Sequence, residues 1–238
     1  MNSNSGETDW QLIYWPGFCG RGEFVRLVFE EAGIKYVENN DAEYIYKYFK
    51  CHENEMDGFP MLSPPIIKDR KTGFQLCQTP VICKYLGKRY GLYPDNEADE
   101  FHADQVNATI HDYIGEGRLS FHGISPNETY EIQKEESKPY IARFEKERIP
   151  RYMNHFELLL KHNDGGNGYL FGSKLTYVDL GLYHILRATE FQFPQSWTNI
   201  LPTIPLLKAF KERIENRPNI KSYLNSDRLK PFCGDSMM

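Results

Sequence analysis

The sequence predicts an α/β unit followed by an all-helical unit. Strand-type and helix-type runs alternate over residues 10–90 in the order β-α-β-α-β-β-α, the stretch "GLYPDNEAD" at 91–99 interrupts them with Gly, Pro and acidic residues, and strand signals largely disappear beyond it. The boundary falls in that stretch, giving units at 9–92 and 98–238. With 238 residues, 40% of them hydrophobic and 14% aromatic, the chain is long enough for two modest cores.

The elements follow in order. "WQLIYW" (10–15) is a short β-type run. "GRGEFVRLVFEEAG" (20–33) places Phe24, Leu27, Val28 and Glu31 at helical spacing and stops at Gly33, a natural residue just past a helix. "IKYVEN" (34–39) reads as a second strand and "DAEYIYKYFKCHEN" (41–54) as a weakly patterned helix. "PPIIKD" (64–69) and "KTGFQLC" (71–77) are two strands joined by a turn around Lys71 to Gly73. "TPVICKYLGKRYGL" (79–92) closes the unit as a helix, with Thr79 expected at the N-cap and Pro80 at the first helical position, where its missing N–H is harmless.

Downstream, "EFHADQVNATIHDYIGEGRL" (100–119) is a helix with Phe101, Val106, Ile110 and Tyr113 on adjoining faces. "PYIARFEKERIPRYMNHFELLLKH" (139–162) continues helical with a kink expected at Pro150, and "NDGGNG" (163–168) is a loop. "TYVDLGLYHILRATEF" (176–191) opens with Thr176 and Asp179 in the T-x-x-D spacing of a capping box. "PLLKAFKERIEN" (205–216) and "PNIKSYLN" (218–225) supply two last helices.

A formal net charge of -5 with no basic block argues against nucleic acid or an anionic membrane as a partner. The polar start "MNSNSGETD" lacks the charged and apolar regions of a signal peptide, and no apolar run approaches a bilayer span, so the expected location is the cytosol. Five cysteines without a C-x-x-C pair suit a reducing compartment, and the histidines show no ligand spacing for a metal. The sequons at Asn107 and Asn127 carry little meaning in such a compartment.

Within residues 12–34, Tyr14, Cys19 and Arg21 are candidates for chemistry. The motifs "LIYW" with "GRGEFVRL", "PPII", "QTP" and "GSKLTYVDL", in this order from about Trp10 to about Phe232, resemble those of the cytosolic glutathione transferases. "YW" and "GRGE" are most similar to the tyrosine-type classes, sigma and mu above all. The resemblance implies a thioredoxin-like first domain with a helical second domain, glutathione as co-substrate, a small electrophile as second substrate, a detoxifying role and a homodimer.

It also implies residue roles. Tyr14 matches the catalytic tyrosine at the end of the first strand, which would donate a hydrogen bond to the glutathione sulfur; a thiol of ordinary pKa about 8.5 is only a few per cent thiolate at pH 7. Arg21 resembles the family arginine of this turn, which implies a glutathione-binding role, with a surface or structural ion pair as the other reading. Pro65 matches the cis-proline before the third strand, and Pro64, lacking an N–H, can offer only its carbonyl to the cysteinyl backbone. Gln78 and Thr79 stand where the γ-glutamyl carboxylate meets a helix N-terminus; the family more often has serine in place of Thr79. Asp112, with Asp104 as the alternative, matches the acid that reaches the glutathione of the neighbouring subunit. Tyr113, Phe121 and Tyr183 are aromatic candidates for the second-substrate pocket, or core residues.

Other readings remain open on sequence alone. A sigma-like member could isomerise a prostaglandin endoperoxide, a crystallin-like member could bind without turnover, and Cys19, just before a helix N-terminus, could serve a thiol transferase. In favour of Tyr14 over Cys19, the family's cysteine replaces the tyrosine, and here the tyrosine position is already filled; "WPGFC" is one residue longer than the usual sigma loop.

Overall fold

The computed structural model describes residues 9–50, 59–125 and 128–237. Its first part runs β1 (Trp10–Ile13), α1 (Gly22–Glu31), β2 (Tyr36–Asn39), α2 (Ala42–Lys50), β3 (Ile66–Asp69), β4 (Gln75–Cys77) and α3 (Thr79–Arg89), the order the sequence predicts. The four strands form one sheet in the order β2-β1-β3-β4, with β1 parallel to β2 and antiparallel to β3, and β3 antiparallel to β4. Strand alternation divides the apolar residues between two faces. Leu12 and Ile67 join the core that includes α1 and α3, whereas Ile13 and Ile66 pack with Ile45 of α2.

Local chemistry sets the ends of these elements. β1 stops at Ile13 because the Tyr14 carbonyl accepts the Asn40 side-chain amide at 2.9 Å. Gly33, at φ +67°, ends α1, and the Ile34 N–H donates to the Phe29 carbonyl at 2.9 Å. Between β3 and β4, the Asp69 carboxylate accepts the N–H groups of Lys71 and Thr72 at 2.9 and 3.1 Å, and Gly73 takes φ +77°. One expectation shifts by a residue: α3 already includes Thr79, so the cap is Gln78, at φ +70°, whose carbonyl accepts from Val81 and Ile82 at 2.9 Å.

The second part is helical: α4 (Glu97–His122), α5 (Lys134–Arg143), α6 (Ile149–His162), α7 (Tyr177–Gln192), α8 (Pro194–Ile200), α9 (Pro205–Glu215) and α10 (Pro218–Leu224). α4 starts earlier than its apolar pattern because Asn96 caps it, accepting the Asp99 N–H at 3.0 Å. Pro150 cannot donate to the preceding turn, and where the sequence reading expects a kink a π-helical turn at Phe144–Arg148 separates α5 from α6. α5 begins at Lys134, ahead of the predicted start, with Pro139 inside it. α8 has no counterpart in the sequence reading; it begins on Pro194 and buries Trp197 and Ile200.

The capping box of α7 is formed. Asp179 Oδ2 accepts the Thr176 N–H at 2.7 Å and its hydroxyl at 2.8 Å, while Oδ1 accepts the Leu170 N–H at 2.8 Å. Burial pushes the Asp179 carboxyl up to about 6 against the pull of these donors. Between the two parts, Lys84 pairs with Asp104 at 2.6 Å and the Asn107 amide donates to the Pro80 carbonyl at 3.1 Å, which commits the first sequon residue to packing. Asn127 and Cys51 lie outside the described residues; Cys19, Cys77 and Cys83 are free thiols. No helix among the described residues is long and apolar enough to cross a membrane.

Candidate active site

Tyr14 directly follows β1 and is buried, its ring in edge contact with Phe18 at 5.9 Å. Its hydroxyl accepts the Arg21 backbone N–H at 2.7 Å. A Cβ on Gly20, at φ +46°, would collide with that hydroxyl, and one on Gly22 would stand 2.8 Å from the ring, so both glycines are needed for the loop to close over Tyr14. Burial first, against the opposing Arg21 N–H, pushes the phenol up to about 12. It therefore stays protonated at neutral pH. One lone pair is taken by Arg21, and the O–H proton is left to donate elsewhere.

The loop rests on a buried network that the sequence reading did not single out. Arg26, fully buried on α1, donates through Nε and Nη2 to the Glu38 carboxylate at 2.7 and 3.0 Å and through Nη1 to the Cys19 carbonyl at 2.9 Å; its guanidinium lies 5.8 Å from the Tyr14 ring centre. Glu23, also fully buried, accepts Arg187 of α7 at 3.1 Å and the Tyr223 hydroxyl of α10 at 2.8 Å. The available signal was the pair of charges inside the apolar run "EFVRLVF", which a solvated face does not explain.

Residues 229–237 form a strap over the same region. The Pro231 carbonyl accepts the Cys19 N–H at 2.8 Å, Phe232 stacks on His184 at 5.9 Å, the Asp235 carbonyl meets His122 Nε2 at 3.2 Å, and buried Met237 fills the notch at Gly117.

The remaining predicted residues lie before β3, at the start of α3, in the turn before α1 and on α4. The Pro64–Pro65 bond is cis, with Pro65 buried before β3. Gln78 is exposed at the start of α3, while Thr79 is buried and its hydroxyl has no hydrogen bond among the described residues. Arg21 sends its guanidinium toward α4, and burial, followed by the like charge of Arg118, lowers its pKa.

Asp112 is exposed on α4 and bonds to no described residue of its own chain. Asp104, the alternative, is spent on Lys84 and on the Tyr177 hydroxyl at 3.2 Å. Tyr113, Phe121 and Tyr183 are core residues, Tyr113 sharing a hydrogen bond with Thr189 at 2.8 Å. Cys19 is buried, and burial and then Glu23 push its thiol up. Burial first, and then the acid in the first turn of α1, outweigh the lowering by Arg187, the Gly20 N–H and Arg26.

A family profile described as "Glutathione S-transferase, C-terminal domain" matches residues 120–227. A glutathione S-transferase of Plasmodium falciparum is 31% identical over 224 residues, covering 90% of this chain and 95% of its own. Glutathione S-transferase P 1 of Xenopus laevis is 30% identical over 217 residues, 91% of this chain and 92% of its own. Among solved structures, the Pi-class glutathione S-transferase of Onchocerca volvulus superposes with a TM-score of 0.71 at 24% identity, over 91% of this chain and 92% of its own.

Proposed function

This chain belongs to the glutathione S-transferase family, and on that footing we propose that it joins the thiolate of glutathione to small electrophiles, with Tyr14 as the catalytic group. The observation that carries the reading is the Tyr14 hydroxyl, held as a phenol by burial and bonded through oxygen to the Arg21 N–H at 2.7 Å. With the oxygen accepting from Arg21, the proton is left to donate to the sulfur, and donation to an anion is favoured where water is excluded. Tyr14 thus stabilises the nucleophile and forms no bond to carbon. The sulfur attacks the electrophilic carbon as the leaving group departs.

Glutathione would lie along the first part of the fold. The Pro64 carbonyl, before the cis bond to Pro65, would accept from the cysteinyl N–H, and the γ-glutamyl carboxylate would sit at the start of α3, to be met by the Thr79 hydroxyl and N–H and the Gln78 amide. Buried Cys19 is a poor candidate for thiol transfer, since its thiolate is disfavoured. The tyrosine-type reading, sigma- or mu-like, rests on the "YW" and "GRGE" motifs. A cytosolic homodimer completes the proposal, with the exposed Asp112 of each subunit reaching the glutathione ammonium of the other.

Retention on immobilised glutathione and turnover of chlorodinitrobenzene test the activity; retention without turnover of any aryl halide, peroxide or endoperoxide would leave a binding protein. For the trans contact, Asp112→Asn should raise the glutathione KM more than it lowers kcat, by roughly the 1.5–3 kcal/mol of a charge-assisted hydrogen bond. An active monomer in size-exclusion with light scattering would remove that role from Asp112.

A further inference from the structure

We infer that residues 231–237 position the catalytic hydroxyl, holding the loop between β1 and α1 against Tyr14; the inference rests on the transferase reading and adds a segment to its machinery. The loop calls for such a brace. Residues 14–21 belong to no strand or helix, and Gly17 at φ +89° and Gly20 at φ +46° stand within them. Glycines leave a segment many conformations to lose, so fixed contacts must select the one that places the Arg21 N–H on the Tyr14 oxygen.

Cys19 is gripped through both of its backbone groups. Arg26 Nη1 donates to its carbonyl at 2.9 Å, and the Pro231 carbonyl accepts its N–H at 2.8 Å. The first grip comes from the helix that follows the loop, the second from the far end of the described chain. On one side of the peptide held by Pro231 is Phe18, whose ring meets Tyr14 edge-on at 5.9 Å. On the other side, two residues past Cys19, is the Arg21 N–H, 2.7 Å from the Tyr14 oxygen. A shift at Cys19 therefore reaches two of the contacts that fix the phenol.

The strap that supplies the Pro231 carbonyl is itself anchored along its length. Phe232 stacks on His184 at 5.9 Å and on Phe191 at 5.1 Å, and the Arg187 guanidinium, which holds Glu23 of α1, lies 5.5 Å from the centre of the same ring. The Gly234 carbonyl accepts from Gln192 at 3.1 Å, and the Asp235 carbonyl meets His122 Nε2 at 3.2 Å. Met237 is fully buried where a Cβ on Gly117 would collide with its sulfur. These anchors belong to α4 and α7. Through the strap, the helical part of the fold acts on the loop that closes over Tyr14.

The test is a chain stopped before Pro231, made with and without the Tyr14 hydroxyl. With Tyr14 in place, the thiolate absorbance of bound glutathione, titrated against pH, should show the thiol pKa raised by about half a unit to one unit. At a pH below that pKa, kcat should fall by about three- to tenfold, while the glutathione KM moves less than about twofold, because the strap acts on the donor to sulfur and not on Pro64, Gln78 or Thr79. In Tyr14→Phe the same truncation should leave the thiol pKa unmoved. Met237→Ala should act in the same direction as the truncation by less, and Met237→Leu, which refills the notch, should stay at wild type; if the stopped chain does not fold, this pair carries the comparison. An unchanged thiol pKa, or an equal shift with and without the Tyr14 hydroxyl, overturns the inference while conjugation stands. If the intact protein neither binds nor conjugates glutathione, the transferase reading fails, and amide hydrogen exchange in the free protein decides the inference. Faster exchange of the Arg21 N–H relative to the α1 amides, in the stopped chain or in Met237→Ala, supports it; an unchanged ratio overturns it.

Discussion

Removing the Tyr14 hydroxyl tests the central assignment most directly. Tyr14→Phe is close to isosteric, because the ring is held by Gly20, Gly22, Phe18 and the Arg26 guanidinium, none of which needs the oxygen for packing. Two hydrogen bonds disappear. The one to the thiolate is charge-assisted and worth about 1.5–3 kcal/mol, which corresponds to a rise of about one to two units in the pKa of bound glutathione. At a pH below that pKa the rate follows the thiolate fraction, so kcat should fall by about ten- to a hundredfold and the deficit should shrink as the pH is raised. The other bond lost is that of the Arg21 N–H, 2.7 Å from the oxygen, and a buried donor left without a partner costs about 1–3 kcal/mol of stability. The thiolate's ultraviolet absorbance, titrated on the complex, reads the first effect, calorimetry shows whether glutathione binding is preserved, and thermal unfolding reads the second. An unchanged thiol pKa in the variant complex would refute the role of Tyr14.

Thr79→Ala should weaken glutathione binding by about 1–3 kcal/mol and Thr79→Ser should be near neutral in calorimetry; equal binding by Ala and wild type would make Thr79 a structural residue alone. Cys19→Ala should retain conjugating activity, since burial and Glu23 disfavour the thiolate, and loss of activity in a folded variant would shift the chemistry to sulfur of the protein. Asp179 has its folded-state pKa raised to about 6, so the stability it adds is fully present below its unfolded value of about 3.9 and is lost as the pH rises through about 6. Chemical denaturation should therefore show the wild type gaining on Asp179→Asn, by about 2–3 kcal/mol, as the pH falls from 7 to 4; a constant difference would refute that shift.

The element order was readable because local rules and tertiary packing agree. Gly33 and the Thr176–Asp179 pair mark helix ends that the fold keeps, and the apolar runs of β1 and β3 suit a sheet covered on both faces. Sequence reasoning lost resolution where a side chain replaces a backbone bond. Asn40 cuts β1 short and Asn96 extends α4, and α8 was missed because its seven residues are too few to show a period. At the site, individual motifs placed Tyr14, the cis Pro64–Pro65 bond and the start of α3. The supports were less visible, since Arg26, Glu23 and Glu38 acquire meaning only when α1, β2, α7 and α10 bring opposite charges together. Cys19 stayed open as an alternative for a related reason: a helix dipole can be inferred from sequence, but burial beside Glu23 cannot.

The bond from the Cys19 N–H to the Pro231 carbonyl has a consequence for the order in which the molecule can be made. During synthesis the loop bearing Tyr14 leaves the ribosome early, whereas its brace at residue 231, and Met237 in the Gly117 notch, follow almost the whole of the described chain. The β-α-β start can pair its strands long before then, but the loop stays unbraced until the last described residues dock. A nascent chain halted after α10 should thus hold a formed sheet and an unsettled catalytic loop, and the closing of the strap should be the step at which the site becomes rigid.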